Sequence, residues 1–305
     1  MADEGGTSTS YRRSFLLLVN RAAGGYEPEP LASAHAVLSR AGQVTLVVTE
    51  TPSDVNRALE GLEERTLVIA GGDGTLHHVA QRLDAAGMLP ATTVAVIPLG
   101  TGNDLARTLG IPLNPEEAAR VVLDGHPRRL DVLRDDRGSI AVNAVHLGVG
   151  AEASQQAAGL KEELGTIAYR LGGLLAGLRE SGWQLTVALD GQPLAVGHER
   201  VLMVAVSNGP TIGGGTPLCP PAIPDDGLLD VVVVSAMSLA ARAGFALALA
   251  SGEHLDRDDV THARGHEVSV QGEPVRASAD GEVSDALDRH SYHIDPAAWQ
   301  LLVPR

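Results

Sequence analysis

From residue 15 to about residue 130, short unbroken apolar runs alternate with stretches in which apolar residues recur every three or four positions. The runs at 15–20, 44–49, 67–70 and 94–97 lack the in-out alternation of a half-exposed strand, so they predict parallel strands covered on both faces. The stretches at 31–41, 54–62, 76–86 and 115–123 have helical spacing, which makes this half of the chain α/β with a parallel sheet. Pro112 and Pro115 mark a break, with Pro115 placed to open the last of those helices. Past residue 130 the texture changes. Segments 140–145, 184–189, 201–207, 229–235, 267–270 and 275–279 are β-rich, separated by turn signals such as Asp135-Asp136-Arg137-Gly138 and Asp190-Gly191, and one helical insert spans 239–250. That pattern predicts a β-sandwich. A chain of 305 residues exceeds the usual single core, and the partition expected is a disordered polar tail at 1–10, an α/β domain at 11–130, a β-rich domain at 131–293 and a closing segment at 294–305.

Composition narrows the function classes. Only 3% of residues are aromatic, so alanine, leucine and valine must fill the cores. The net charge of −15 argues against a nucleic-acid partner, because no basic stripe is present to neutralise phosphates. It also opposes firm electrostatic docking on an anionic membrane. The single cysteine, Cys219, excludes an internal disulfide and fits a reducing cytoplasm; it reads as a small packed residue rather than a nucleophile. No apolar run reaches the roughly 18 residues that span a bilayer. An amphipathic stretch from 160 to 183, with Leu171, Leu174, Leu175 and Leu178 on one face, reads as a helix packed on its own domain, with contact at a membrane surface as the alternative.

The strand at 67–70 runs into Gly71-Gly72-Asp73-Gly74-Thr75, followed directly by a helical pattern. Glycines at a strand-to-helix turn let backbone N–H groups approach phosphate oxygens, and the helix N-terminus adds partial positive charge. The plainer reading is a tight turn with Asp73 as a helix cap. A second loop, Gly100-Thr101-Gly102-Asn103-Asp104, follows the strand at 94–97. Two such loops at strand ends build one crevice, so Asp73 and Asp104 are expected to face a common site. Neither loop carries the third glycine of a dinucleotide fingerprint or the Gly-Lys-Ser/Thr of a P-loop.

These loops, together with Leu18-Val19-Asn20, Asn143, Gly148-Val149-Gly150, Asn208-Gly209, Gly213-Gly214-Gly215, the stretch from Pro221 through Asp226-Gly227-Leu228-Leu229-Asp230-Val231, and Asp280-Gly281-Glu282, resemble the diacylglycerol and sphingosine kinase superfamily. NAD kinases and phosphofructokinases are its more distant relatives. The resemblance implies a fold, an NAD kinase-like α/β domain plus a β-sandwich whose last segment, 294–305, returns to the first domain. It implies a reaction, transfer of the γ-phosphoryl group of ATP to a hydroxyl of a diacylglycerol-like lipid or related amphiphilic alcohol. It also implies a site. ATP would contact Asn20, Thr49, Gly71, Gly72, Asp73, Gly74, Thr75, Gly100, Thr101, Gly102 and Asn103, although Asn20 and Thr49 read equally well as turn caps. Asp73 and Asp104 would hold Mg²⁺ directly or through water. Glu282 is the favoured base and Asp280 the runner-up, and either would work better with a pKa raised by burial beside Asp73, which the sequence does not show; a plain Asp-Gly hairpin is the competing reading. A structural Mg²⁺ would be held by Asp226 with the carbonyls of Ile223 and Leu228, against the plainer reading of a turn.

Three positions depart from the family pattern. His78 stands where an acid is usual, beside His77; Arg21 replaces a proline and Glu152 an aspartate. His78 leaves nucleotide or lipid binding without catalysis as one alternative to a lipid kinase, and the acidic surface favours another, NAD-kinase-like phosphorylation of a water-soluble alcohol, which Asp226-Gly227-Leu228-Leu229 and Asp280-Gly281-Glu282 oppose. A cytoplasmic location, with transient contact at the inner membrane face, follows from the same reading. A homodimer is left open.

Overall fold

The computed structural model describes residues 13–21, 28–149, 151, 181–195, 197 and 200–305. The polar tail, Gly150, Glu152 and the four leucines between 171 and 178 lie outside the described residues.

The first domain is built on parallel strands β1 (Arg13–Asn20), β2 (Gly42–Thr49), β3 (Thr66–Gly71) and β4 (Thr93–Pro98), ordered β2-β1-β3-β4. Phe15 to Val19 and Leu67 to Ala70 are essentially inaccessible, as unbroken apolar runs require. Strand β2 lies at the sheet edge and leaves Leu46 and Val48 partly exposed. Helices α1 (Pro28–Ala41), α2 (Pro52–Glu60), α3 (Asp73–Ala85), α4 (Asp104–Thr108) and α5 (Pro115–Asp124) connect the strands. Local chemistry sets their starts. Thr51 and Asp54 form a reciprocal capping box at α2, and the Asn114 side chain accepts from the Glu116 and Glu117 N–H groups ahead of Pro115.

The second domain packs two antiparallel layers. One contains β8 (Trp183–Leu189), β9 (Gln192–Ala195) and β13 (Glu267–Val275), and the other contains β7 (Ala144–Gly148), β10 (Arg200–Ser207), β11 (Leu229–Ser235), β12 (Val260–Gly265), β14 (Ala277–Ala279) and β15 (Glu282–Val283). Val145, Leu147, Val187, Val204, Val231, Val268 and Val270 fill the space between the layers. Helix α6 (Leu239–Ser251) lies outside the second layer.

The domains are joined by two strands that belong to both. Strand β5 (His126–Asp135) continues through residue 130 without a break and pairs antiparallel with the short β6 (Ile140–Ala141) and with β16 (Leu287–Val303). The first part of β16 pairs with β13, and after a bulge between Asp295 and Trp299 its last part runs parallel to β4, with Gln300 and Leu301 opposite Thr93 and Val94. Trp299 is fully buried just past that bulge.

Candidate active site

The two glycine loops meet backbone to backbone. Gly71 and Pro98 are register partners at the ends of β3 and β4, and the Leu99 N–H donates to the Gly71 carbonyl. A Cβ on Gly100 would lie 2.5 Å from the Gly72 Cα, so only glycine permits this approach. Asn103, with φ at 55°, closes the second loop on itself: its Nδ2 donates to the Gly100 carbonyl at 2.6 Å and its Oδ1 accepts from the Gly100 N–H. The Asn103 side chain is therefore spent within the loop. Gly74, in the first turn of α3, faces open space, and α3 has no side-chain cap at its N-terminus. Thr75 carries a buried hydroxyl with no hydrogen-bond partner. At the neighbouring strand ends Asn20 and Thr49 are register partners; the Thr49 hydroxyl donates to the Val19 carbonyl.

Asp73 and Asp104 converge on Gly102, whose added Cβ would lie 2.6 Å from one Asp73 oxygen and 3.3 Å from one of Asp104. Their environments differ. Asp104 Oδ1 accepts from the Thr211 hydroxyl at 2.9 Å and the Gly215 N–H at 2.7 Å, and Oδ2 accepts from the Gly214 N–H at 2.7 Å. Asp104 thus clamps a loop of the second domain onto the phosphate side of the first. Asp73 accepts backbone N–H groups of Asn103, Asp104 and Leu105, yet burial and the Asp104 charge push its pKa up to about 6. It is the carboxylate here that gains most from a cation.

Opposite the first loop lies the hairpin between β14 and β15. Asp280 and Gly281 take φ values of 48° and 98°, the two left-handed residues of a two-residue turn between the paired Ala279 and Glu282. The Asp280 carboxylate is saturated. Oδ2 accepts from the Val142 N–H and meets His77 Nδ1 at 2.8 Å, while Oδ1 accepts from the N–H groups of Asn143 and Ala144. Four bonds use the capacity of a carboxylate and leave no site for an acceptor hydroxyl. Glu282 is exposed, without the burial beside Asp73 that would favour a base, and its charge reaches both His77 and His78. Burial alone would lower the His77 pKa, but the hydrogen bond and charge of Asp280, with Glu282 beyond, raise it. Burial and the Arg82 charge lower that of His78.

The Asp226 turn differs from its reading as a metal site. Its carboxylate accepts from the Leu228 N–H and is ion-paired with Arg264, which also reaches Asp230; neighbouring Asp225 is held by Arg128 through two bonds of 2.6 Å. The Asp226 carboxylate is already neutralised by arginine, and a donor set so paired does not fit a bound dication with the Ile223 and Leu228 carbonyls. Nearby, Cys219, Asp230 and His262 bring one donor atom each within 4.8 Å of one another. They form a hydrogen-bonded hub in which Asp230 accepts from His262 and Arg264 and burial raises the thiol pKa.

Sequence reasoning passed over Asp131, Arg264 and the partnership of His77. Asp131, 2% exposed, accepts from the Gly227 and Ala297 N–H groups and ties the Asp226 turn to the β16 bulge. Its signal is a lone acid between Leu130 and Val132. Arg264 and His77 carry no such local signal, because their partners lie far along the chain.

An α/β domain presenting two interlocked glycine loops to an acid-bearing hairpin of a β-sandwich defines a two-domain kinase. The diacylglycerol kinase catalytic domain family matches residues 14–134, and the YegS C-terminal NAD kinase beta sandwich-like domain matches residues 143–303. A probable lipid kinase YegS-like of Pseudomonas aeruginosa is 34% identical over 85% of this chain and 87% of its own, and one of Stenotrophomonas maltophilia is 35% identical over 71% and 72%. A diacylglycerol kinase crystal structure from Bacillus anthracis strain Sterne shares the fold, with a TM-score of 0.75 over 97% of this chain and 98% of that one at 23% identity. The chain belongs to the lipid kinase family that couples these two domains.

Proposed function

We propose that this kinase transfers the γ-phosphoryl group of ATP to the hydroxyl of a diacylglycerol-like lipid or related amphiphilic alcohol in the cleft between its domains. The observation that carries this reading is the pair of glycine loops locked at Gly72 and Gly100, beside an open Gly74, a partnerless Thr75 hydroxyl and the strained charge of Asp73. These features fit a polyphosphate and a cation: the backbone of Gly72 to Thr75 and of Gly100 to Gly102 would bind phosphate oxygens, and the Thr75 hydroxyl would gain a partner. Asp73 would hold Mg²⁺. Asp104, with three hydrogen bonds already made, would act through water while keeping the second domain in place. Mg·ATP supplies the transferable phosphoryl group and screens its charge. Glu282, the hairpin carboxylate with free lone pairs, would accept the acceptor hydroxyl proton.

A lipid acceptor is supported by α6. Its exposed positions Leu239, Ala243, Leu247 and Ala250 form an apolar stripe at helical spacing, with Leu239 63% and Leu247 76% exposed, and the helix ends at Gly252 against Pro217 and Pro220. Those prolines follow the glycine loop clamped by Asp104. Among the described residues no helix is long and apolar enough to cross a membrane, so contact would be at the surface. The test is ATP consumption by purified protein with dispersed neutral lipids and with water-soluble alcohols. Turnover with lipids alone supports the reading; turnover with soluble alcohols alone, or none with either, overturns it.

A further inference from the structure

Helix α3 does two things at once. Its first turn is the phosphate loop, and its face at His77, Gln81 and Asp84, spaced i, i+4 and i+7, makes further polar contacts with other elements. His77 Nδ1 meets Asp280 Oδ2 at 2.8 Å, Gln81 Oε1 accepts from the Ile140 N–H at 2.9 Å, and Asp84 accepts two bonds from Arg134 at 2.8 Å. The His77 contact is the most enclosed of the three, with side-chain exposures of 7% for His77 and 2% for Asp280. Asp280 is itself fixed by the backbone at Val142, Asn143 and Ala144, and its own N–H donates to the Ala144 carbonyl. Glu282 lies two residues on, across a tight turn, in a strand of only two residues. The ladder to β14 holds Glu282 within the second domain, and the Asp280–His77 contact is what ties that hairpin to the phosphate-loop helix.

We infer that His77 is a positioning residue: through Asp280 it latches the Glu282 hairpin to the phosphate-loop helix and so fixes the separation between phosphoryl donor and acceptor hydroxyl. This rests on the reading of Glu282 as the base. A small misplacement between reacting groups is enough to lower turnover by an order of magnitude or more. The latch needs a side-chain N–H donor at residue 77, not a formal charge, and the Nδ2 amide of an asparagine can supply one.

The test compares His77→Leu and His77→Asn, alone and combined with Glu282→Gln, in the full chain with Mg·ATP and a diacylglycerol dispersed in vesicles. His77→Leu is expected to lower kcat by about tenfold or more with ATP affinity unchanged, and His77→Asn to recover most of that loss. In the Glu282→Gln background His77→Leu should lower kcat by less than about twofold, since there is no longer a base to position. Equal losses in both backgrounds would reduce His77 to a structural residue and overturn the latch. Amide hydrogen exchange gives a readout independent of catalysis: His77→Leu should speed exchange at 142–144 and 279–283 while leaving β3 protected. Unchanged exchange at those amides overturns the latch whatever the kinetics. If Glu282→Gln alone leaves kcat intact, the base reading fails and the exchange result by itself decides the latch. Should His77→Leu not fold, His77→Asn against His77→Ser carries the same comparison.

Discussion

Asp73 shows how a site can hold strain in a single residue. Its carboxyl pKa, ordinarily 3.8, is raised to about 6, so the folded protein binds that proton more tightly than the unfolded chain does. The sign follows: ionised Asp73 destabilises the fold above about pH 6, by about 3 kcal/mol at most, and the penalty fades as pH falls toward 4. Asp73→Asn is therefore expected to raise the melting temperature of the nucleotide-free protein by a few degrees at pH 8, with the gap closing by pH 4.5, while impairing Mg·ATP use at every acceptor concentration. A variant that melts lower than wild type at pH 8 would show that the three N–H groups of α4 need the charge. Glu282 carries the opposite expectation. Being exposed and outside the nucleotide loops, Glu282→Gln should leave ATP affinity and stability alone and lower kcat by about 10²–10⁴-fold. Turnover within about twofold of wild type would remove it as the base, and the saturated Asp280 could not take its place without breaking its own contacts.

At the scale of elements, α6 and the turn before β11 carry separate tests. Glutamates at Leu239 and Leu247 replace exposed side chains, so the fold should tolerate them. They are expected to lower activity on lipid vesicles several-fold while leaving turnover of a dispersed short-chain acceptor unchanged. Equal activity on vesicles would detach α6 from lipid contact. Because Arg264 is ion-paired with Asp226 and also reaches Asp230, the melting temperature without nucleotide should, in an Asp73→Asn background, be the same in Mg²⁺ and in chelator. Removing the guanidinium with Arg264→Met should lower stability and make it respond to Mg²⁺. A Mg²⁺-dependent melting temperature that persists in Asp73→Asn would show that an ion competes with Arg264 for Asp226.

For the whole molecule, β5 and β16 make one mechanical unit of two domains. Trp299 plugs their junction, and Trp299→Ala should cost about 3–5 kcal/mol. The loss should appear in one cooperative transition reported equally by probes in each domain; two separated transitions would show that the domains unfold independently. Much of this architecture is legible along the chain. Unbroken apolar runs are strands because both faces are covered, and Asp-Gly steps are turns because those backbones demand left-handed conformations, as at Asp190 and Asp280. The first part of β16 is hidden, since its inward positions include His290 and Tyr292 among polar neighbours. The break between Ile140–Ala141 and β7 is hidden too, because the Asp280 carboxylate that holds it is more than 130 residues away. The sequence by itself determined the two glycine loops, the acids that follow them and the split into α/β and β-rich halves, all set by local backbone sterics and periodic burial. Only the tertiary structure decided which acids are free to act. Asp280 is consumed by three amides and an imidazole and Asp226 by an arginine, while at Asp73 burial and the Asp104 charge outweigh three backbone N–H groups, because hydrogen-bond saturation and desolvation depend on partners that folding brings from distant parts of the chain.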